Sequence, residues 1–563
     1  MNKSNEVTPL LIQQYFSQQH KENLVFDIIR DLAANLTAMS PQDHSRLSWC
    51  GYKTKLPEIL FLSGCDFLTA LPDSVGRLTL LRRLELSHCT HLTCLPDSLW
   101  QLTHLTRLSL DGCDHLTTLP EALGQLTQLQ SLAVGGVALQ TLPESLGQLT
   151  NLKRLTVFFA PGLLALPENL GHLTQLEELY ISDCPRLRTL PGNVGQLTQL
   201  QKLAVRGSER LTALPAGLGK LAQLEELDIS GCHRLPGLPV ELGRLTRLEK
   251  LDLSGCHGLV ELPESLGQLT RLKKLDLSGC SGLMALPESL GQLTQLEALH
   301  MGSCDDLPVP EWLPRLTRLK TLSLSWRDDL YALPEMLGQM QQLESLILDW
   351  CGNLNVLPES LGQLAQLDHL SLNTCYSLAI LPESLGQLLQ LTTLDLSGCS
   401  GLTALPESLG RLTQLECLRL DECSGLEALP ESSGQLVKLT QLGMRGCCRL
   451  TTIPDSLGLL TQLKHLDLSE CSNLEALPEN LGQLGQLESL ALSGCHRLTV
   501  LPDSLGQLTQ LKRLVLSECS GLEALPDSLG QLTQLEVLDI SGCTRLTNLP
   551  ESLSPLTQLA IQR

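Results

Sequence analysis

The sequence has few aromatic residues and no long apolar segment. Phenylalanine, tryptophan and tyrosine together make up 3% of the 563 residues, so large rings cannot dominate the core. No stretch of about 18 consecutive apolar residues occurs, and we therefore expect no membrane-spanning helix. The apolar run at residues 10–12 is too short for the core of a secretory signal. We expect a cytoplasmic or otherwise intracellular protein.

Positive charge is also scarce. The chain has 40 lysine and arginine residues against 61 aspartate and glutamate residues, which gives a net charge of −21 at pH 7. A protein of this charge repels phosphate backbones, so we expect no nucleic-acid partner. Hydrophobic residues make up 42% of the chain, which is enough to bury a core.

A repeat of about 24 residues runs through most of the chain. A proline preceded by leucine, valine or isoleucine marks each repeat from Pro72 to Pro550. Leu251 and Leu253 are two residues apart, so both side chains point to one face of a strand. In the segment at residues 263–267, a proline and an acid suit the start of a helical turn and a glycine suits its end. Each repeat therefore predicts one short strand and one turn of 3-10 or α-helix.

Seventeen of the 21 cysteines occupy one slot of the repeat, three residues after the second strand leucine. Stacked repeats place them in a column, where a small thiol can fill the turn and donate to a backbone carbonyl. A regular column is not a tetrahedral site, so we expect no metal. Without an export signal we interpret the thiols as reduced. The slot contains Cys65, Cys89, Cys113, Cys184, Cys232, Cys256, Cys280, Cys304, Cys351, Cys375, Cys399, Cys423, Cys447, Cys471, Cys495, Cys519 and Cys543.

The pattern Leu-x-x-Leu-x-Leu-x-x-Cys-x-x-Leu closely resembles the leucine-rich-repeat family over about residues 56–559. The recurring segment Leu-Pro-Glu-Ser-Leu-Gly-Gln-Leu is similar to repeats of plant intracellular immune receptors and of bacterial proteins delivered into host cells. The resemblance implies an α/β solenoid, a curved leucine-rich-repeat horseshoe of about 21 repeats. It places a parallel β-sheet on the concave face, which binds the ligand, and short 3-10 or α turns on the convex face.

The two ends of the chain differ from the repeats. In residues 1–55, apolar residues are spaced for amphipathic helices, which predicts a helical N-terminal cap, with a docking or export segment as the alternative. Residues 56–563 are assigned to the solenoid. Ser554 and Pro555 replace the usual glycine and glutamine. The last turn is then either frayed or covered by another subunit, in an end-to-end self-association at the C-terminus.

Recognised catalytic motifs are missing from the sequence. We find no His-Glu-x-x-His, no Gly-x-Ser-x-Gly and no Gly-x-x-x-x-Gly-Lys-Ser/Thr. We therefore expect a binding protein that is not an enzyme and that uses no cofactor. Its expected partner is a protein, in an immune, signalling or host-interaction setting. The alternative is a bacterial effector that reaches a host cell without a signal peptide.

Breaks in the repeat pattern mark the candidate binding residues. The second residue after the last strand leucine is usually glycine, glutamate or serine, but it is aromatic at Phe159, Trp326 and Trp350. Because exposed aromatic and arginine side chains dominate binding energy, we predict two ligand-binding clusters, with filling of space in degenerate repeats as the alternative. The first contains Phe158, Phe159, Tyr180 and Arg206; the second contains His300, Trp326, Arg327, Trp350 and His369, with Tyr331 and Tyr376 at its edge. Tyr376 is counted among the ligand-binding residues.

Two further patterns concern charge and repetition. Asp228, Asp252 and Asp276 align between strand leucines, and Lys250 and Lys274 are close to them in sequence. Mutual pairing of these charges is the expected arrangement. The repeats after Pro382 are close to identical, which favours a spacer over a tailored binding surface.

Overall fold

The computed structural model describes residues 58–66 and 68–563, so the N-terminal segment of residues 1–55 lies outside the described residues. The chain forms two compact units, which divide between Leu293 and Thr294. In both units a short strand alternates with a 3-10 helix. The predicted alternation of strand and helical turn is confirmed, and every helical turn in the described part of the chain is of the 3-10 type.

Strands of the first unit pair in parallel with their neighbours in sequence. Leu251 lies opposite Leu275, so equivalent residues of successive repeats form columns. The strands are β1 (Ile59–Phe61), β2 (Arg83–Glu85), β3 (Arg107–Leu110), β4 (Ser131–Gly135), β5 (Arg154–Phe158), β6 (Glu178–Ser182), β7 (Lys202–Arg206), β8 (Glu226–Asp228), β9 (Lys250–Asp252) and β10 (Lys274–Asp276). The 3-10 helices are Asp73–Arg77, Asp97–Gln101, Glu121–Gln125, Glu144–Gln148, Glu168–His172, Gly192–Gln196, Ala216–Lys220, Val240–Arg244, Glu264–Gln268 and Glu288–Gln292.

The second unit repeats the same arrangement, again with parallel pairing between successive strands. Its strands are β11 (Ala298–His300), β12 (Thr321–Ser323), β13 (Ser345–Ile347), β14 (His369–Ser371), β15 (Thr393–Asp395), β16 (Cys417–Arg419), β17 (Gln441–Gly443), β18 (His465–Asp467), β19 (Ser489–Ala491), β20 (Arg513–Val515), β21 (Val537–Asp539) and β22 (Ala560–Gln562). Its 3-10 helices are Leu313–Arg315, Glu335–Gln339, Glu359–Gln363, Glu383–Gln387, Glu407–Arg411, Glu431–Gln435, Asp455–Leu459, Glu479–Gln483, Asp503–Gln507, Asp527–Gln531 and Glu551–Leu553.

In the part of the chain that the structure describes, the number of strands exceeds the predicted number of repeats by one. The marker prolines lie between strands, so one strand precedes Pro72 and another follows Pro550. The last strand, β22, has the sequence Ala-Ile-Gln in place of a leucine-centred strand, and it pairs with β21. The predicted self-association at this end of the chain stays a prediction.

The core consists almost entirely of leucine. Leu251 and Leu253 approach it from the strand side and are 1% and 0% exposed, while Leu266 approaches from the 3-10 helix and is 1% exposed. Burial of one such side chain stabilises the fold by roughly 1.5–3 kcal/mol. Repetition of this layer explains the low aromatic content, although Trp100 and Trp312 are also buried in it.

The cysteines form the predicted column beside this core. Cys256 is 0% exposed, and its Sγ donates to the carbonyl oxygen of Ile229 in the preceding repeat at 3.2 Å. Burial raises the pKa of the Cys256 thiol to about 11, so it stays protonated and unreactive at neutral pH. The same bond to the preceding repeat is made by Cys89, Cys113, Cys232, Cys280, Cys351, Cys375, Cys399, Cys423, Cys447, Cys471, Cys495, Cys519 and Cys543.

The acids that follow the marker prolines lie in the first turns of the 3-10 helices, and some of them also bond the next repeat. The Glu121 carboxylate accepts hydrogen bonds from the backbone amides of Glu144 and Ser145, at 3.2 and 2.8 Å. The bond from the Ser145 amide is the main reason that the pKa of Glu121 lies below its ordinary value. These carboxylates therefore help to join successive 3-10 helices, in addition to the helix-end effect that the sequence predicts.

Candidate ligand-binding site

The outward side of the strands is the surface on which the candidate residues converge. In β9, Lys250 and Asp252 point away from the core on either side of the buried Leu251. Ser254, after the second strand leucine, is also partly exposed. We call this surface, in each unit, the strand face; it consists of the outward-pointing strand residues and the two residues that follow the second strand leucine.

The last position of the strand face has a left-handed backbone conformation, and we call it the left-handed slot. Gly255 and Gly279 occupy it with φ of 70° and 72°. A left-handed φ costs a residue with a Cβ roughly 1–2 kcal/mol, which explains why glycine is frequent there. Phe159, Trp326 and Trp350 occupy the same slot with φ of 48°, 61° and 61°. Large aromatic residues in this conformation are outliers that call for a reason.

Trp326 and Trp350 stack on one another across neighbouring repeats. Their ring centroids are 4.5 Å apart, and the ring planes differ by 4°. The amides of Trp326 and Trp350 donate to the carbonyl oxygens of Asp349 and Asn373, both at 2.7 Å, which holds the two slots in register. The two side chains are nevertheless 55% and 45% exposed. The rings therefore cover each other in part and present the remainder to solvent.

Small residues occupy the slot on both sides of the tryptophan pair. Ser303 precedes it with φ of 52°, and Thr374 follows it with φ of 61°. The structure places the two predicted histidines in different columns of the strand face. His300 lies opposite Ser323 in β12, whereas His369 lies opposite Ser345 in β13.

Arg327 is not part of the exposed surface, and the prediction that it contacts a ligand from the strand face is wrong. It occupies the cysteine slot and is only 1% exposed. Its Nε and Nη2 donate to the two carboxylate oxygens of Asp329 at 3.0 and 2.5 Å, and Nη2 also donates to the carbonyl oxygen of Leu307. The physical reason is that this slot points towards the core, and Asp329 neutralises the guanidinium there.

Tyr376 and Tyr331 lie in turns beyond the left-handed slot, at the edge of the strand face. They are 50% and 61% exposed. The ring of Tyr376 covers Gly352, since a Cβ at that glycine would lie 2.4 Å from the ring. The expected contact of Tyr376 with a ligand stays a prediction.

In the first unit, Phe158 and Phe159 form the aromatic part of the predicted cluster. Their ring centroids are 6.4 Å apart, and the side chains are 43% and 48% exposed. Tyr180 is half-buried and lies in the next repeat, opposite Ala204. Burial, followed by the nearby Glu178, raises the pKa of Tyr180.

Arg206 joins Tyr180 in a shallow depression on the strand face of the first unit. The guanidinium Nε donates to the Asp228 carboxylate at 2.6 Å, so its charge is paired within the protein. Lys202 and Lys250 pair with Glu226 at 3.3 and 2.9 Å. The hydrogen bond from Lys250 is the main reason that the pKa of Glu226 lies below its ordinary value.

The predicted pairing of aligned aspartates with lysines is only partly right. Lys274 Nζ lies 3.6 Å from the Asp276 carboxylate. Lys250 pairs with Glu226, however, and the Asp252 carboxylate accepts the Ser254 hydroxyl at 2.7 Å. The aligned aspartates therefore also brace the turn that follows each strand.

A period of two repeats appears in the second unit. Glu422, Glu470 and Glu518 occupy the left-handed slot in alternate repeats, with φ of 60°, 60° and 61°. Glycines fill the slots between them, and each glutamate side chain lies over the next glycine. Ion pairs recur with the same period, between Glu427 and Arg449, Glu475 and Arg497, and Glu523 and Arg545.

The described residues contain no group of three or more histidine, cysteine, aspartate or glutamate side chains that could hold a metal ion. Over the same part of the chain, no helix has the length and apolar character that crossing a membrane requires.

Comparison with known proteins identifies the same repeats. The family model described as leucine-rich repeat region matches residues 54–162, 161–258, 251–377, 351–469 and 444–561. A leucine-rich-repeat protein of Leptospira interrogans is 26% identical, over 81% of this chain and 95% of that one, with a TM-score of 0.53. The crystal structure of a TDR receptor is 25% identical, over 86% of this chain and 85% of that one, with a TM-score of 0.52. No curated protein sequence matches the chain significantly.

Proposed function

The chain belongs to the leucine-rich-repeat family, and we propose that it binds a protein ligand through its strand face. Stacked repeats of this type are scaffolds for protein interaction, because each added repeat extends a surface without changing the core. The specificity of such a scaffold resides in outward positions that differ between repeats.

The stacked pair Trp326 and Trp350 is the observation that carries the proposal. Both side chains stand in a slot whose left-handed backbone suits glycine, and both remain about half exposed. Strained residues of this kind persist where function requires them. Exposed tryptophans also supply large contact areas at low conformational cost, and they are enriched among the residues that dominate interface energies.

Filling of space in degenerate repeats is the competing explanation, and the geometry disfavours it. Trp326 and Trp350 pack on each other at the surface, while the neighbouring strand leucines Leu324 and Leu348 fill the core at 0% exposure. A stacked pair contributes about 0.5–1.5 kcal/mol, which is less than the roughly 2–4 kcal/mol that two left-handed backbones cost. The pair therefore adds little to stability.

We assign the remaining members of the binding surface by position. In the second unit, His300 and His369 flank the pair on the strand face, and Tyr376 lies at its edge. In the first unit, Phe158 and Phe159 form a separate exposed aromatic surface. Tyr180 and Arg206 lie beside it, and we place both among the residues that a ligand contacts there.

The test compares proteins captured by the intact chain with those captured by a Trp326→Gly, Trp350→Gly variant. Glycine is the usual residue of the slot, so the variant keeps the backbone conformation. A Glu422→Gly, Glu470→Gly variant is the matched control, because it makes the same exchange elsewhere in the same slot. Circular dichroism checks that all three are folded.

We expect a partner that the parent and the control capture and that the tryptophan variant loses. Retention of every captured partner by the tryptophan variant would contradict the proposal for this unit. A Phe158→Ser, Phe159→Gly variant would then test the first unit in the same assay.

A further inference from the structure

The two flat faces of Trp326 have different surroundings. One face is covered by Trp350 at 4.5 Å. The other is directed to the preceding repeat, where Ser303 occupies the left-handed slot with a single hydroxymethyl group. The amide of Ser303 donates to the carbonyl oxygen of Ser325 at 2.8 Å, so this slot is aligned with that of Trp326.

The distance between repeats matches the thickness of a stacked planar group. Adjacent strands lie about 4.8 Å apart. The two tryptophan rings, which come from neighbouring repeats, have a similar spacing of 4.5 Å. A planar group placed over Ser303 would therefore continue the stack by one step. The 55% exposure of Trp326 shows that its surface is available for such a contact.

Three acidic residues lie in the turns that follow the left-handed slots at this end of the stack. Asp328 follows Trp326 by two residues, and its backbone amide donates to the Asp305 carboxylate at 3.3 Å, which brings the two acids together. Asp306 is the next residue after Asp305. All three acids are exposed, and none of them forms an ion pair among the described residues. The nearest cation in the sequence, Arg327, is buried and paired with Asp329.

The opposite side of the stack has less exposed charge. Its carboxylate, that of Asp349, is half-buried and accepts hydrogen bonds from the Ser371 hydroxyl and the Asn373 amide. Thr374 occupies the slot after Trp350, and its hydroxyl donates to the side-chain oxygen of Asn373 at 2.6 Å. The two turns beside it begin with Gly352 and Tyr376, which are uncharged. The two ends of the stack therefore differ in electrostatics, because the exposed acids without ion pairs are at the Ser303 end, and this end favours a cation.

We propose that the Ser303 end of the tryptophan stack binds the guanidinium group of an arginine in a basic segment of the partner protein. The proposal rests on the function proposed above and specifies its ligand chemistry. A guanidinium is planar and positively charged, so it can lie flat on Trp326 and bond to Asp305, Asp306 and Asp328 along its edge. A lysine ammonium lacks the plane, and a neutral aromatic group lacks the charge.

The test uses hexa-arginine and hexa-lysine peptides as probes, titrated into the full chain at physiological ionic strength. Ser303→Trp places a tryptophan ring where the arginine is proposed to bind, and it leaves Trp326 and Trp350 in place. Asp305→Asn, Asp306→Asn, Asp328→Asn removes the charge with little change of shape. Glu422→Gln, Glu470→Gln, Glu518→Gln removes three acids from distant slots and is the matched charge control.

We expect hexa-arginine to bind at least about fivefold more tightly than hexa-lysine, since stacking favours the guanidinium. The serine and the triple aspartate variants should each lose at least about fivefold in affinity for hexa-arginine, and the glutamate control should lose less than about twofold. Equal binding of the two peptides, or an equal loss in the glutamate control, would overturn the proposal, because both indicate general charge attraction.

The outcomes also separate this proposal from the general function. If the protein partner is lost from the Trp326→Gly, Trp350→Gly variant but retained by the Ser303→Trp and triple aspartate variants, protein binding stands and arginine recognition fails. If the tryptophan variant retains its partner while hexa-arginine still depends on Ser303 and the aspartates, the cation site stands alone.

Discussion

At the scale of single residues, Arg327 shows how one slot of the repeat tolerates an unusual side chain. It replaces a cysteine in the buried column, and Asp329 supplies the charge that keeps it there. Its Nη1 atom is buried without a hydrogen-bond partner among the described residues, so the guanidinium is incompletely satisfied. The contribution of each residue of this ion pair to stability therefore depends on the presence of the other.

We predict that Asp329→Ser destabilises the protein by about 3 kcal/mol, since it leaves a buried cation without its counter-ion. The double variant Arg327→Cys, Asp329→Ser restores the usual cysteine and should recover most of that loss. Denaturation of the parent, both single variants and the double variant measures the coupling. Additive effects of the two single changes would show that the pair is not coupled.

The residue scale also shows what sequence reasoning could and could not supply. The exposure of Trp326 and Trp350 follows from their place after the second strand leucine, and the structure agrees. Recurrent glycine at that slot was the available signal for its left-handed backbone. The prediction for Arg327 is wrong because arginine is usually exposed, whereas this slot holds a buried cysteine in most repeats.

At the scale of the element, the cysteine column joins most turns to the preceding repeat. Each bond from Sγ to a carbonyl oxygen requires a protonated thiol, as in Cys232 and Cys256, which bond Val205 and Ile229 at 3.2 Å. Burial raises the pKa values of these two thiols from 9.0 to about 12 and about 11. The folded state therefore favours the protonated thiol more strongly than the unfolded state does.

It follows that the stability of the protein decreases at alkaline pH. The folded pKa lies above the unfolded value, so the contribution of each thiol is complete below pH 9 and is lost as the pH rises towards 11 and beyond. A Cys232→Ala, Cys256→Ala variant cannot titrate at these positions. It should be about 1–2 kcal/mol less stable than the parent at pH 7, and this difference should shrink between pH 9 and 11.

Thermal unfolding of the parent and the alanine variant, at a series of pH values, measures this effect. Alanine is a fair replacement, because Ala160 occupies the same slot at 0% exposure. A difference in stability that is constant from pH 7 to 11 would show that the two thiols do not titrate as described.

Strands and 3-10 helices were the most predictable elements of the chain. The spacing of Leu251 and Leu253 predicted the strand, and the proline and acid at residues 263 and 264 predicted the helical turn. Strand β22 was missed because Ala-Ile-Gln does not carry the leucine spacing, and only its pairing with β21 shows it to be a strand.

At the scale of the whole molecule, the second unit combines a varied segment with a regular one. The tryptophan pair lies in the varied repeats, whereas the repeats from Pro382 onwards carry the two-repeat period of Glu422, Glu470 and Glu518. Ion pairs such as Glu475 with Arg497, 3.4 Å apart, recur with that period. Each repeat contacts only its neighbours, so a whole period of such regular repeats can be deleted without changing the contacts between the repeats that remain.

We predict that deletion of residues 424–471, which is one full period, leaves a folded protein that still binds its partner. The deletion joins Cys423 to Ser472. The order of strand and turn, and the alternation of glutamate and glycine in the left-handed slot, therefore continue across the junction. Deletion of residues 305–351 also preserves the order of the repeat but removes both tryptophans, and it should abolish binding. Loss of the partner after the first deletion would show that the regular repeats bind it and are more than a spacer.

The most direct test of the account is a paired measurement on Trp326→Gly, in which partner affinity and the free energy of unfolding are determined on the same preparation. We predict that the free energy of unfolding stays within about 1 kcal/mol of the parent, because relief of the left-handed backbone offsets the lost stacking. Partner affinity should fall by at least about tenfold, as for an interface hot spot. Unchanged affinity together with a marked loss of stability would contradict the account, because Trp326 would then be a packing residue.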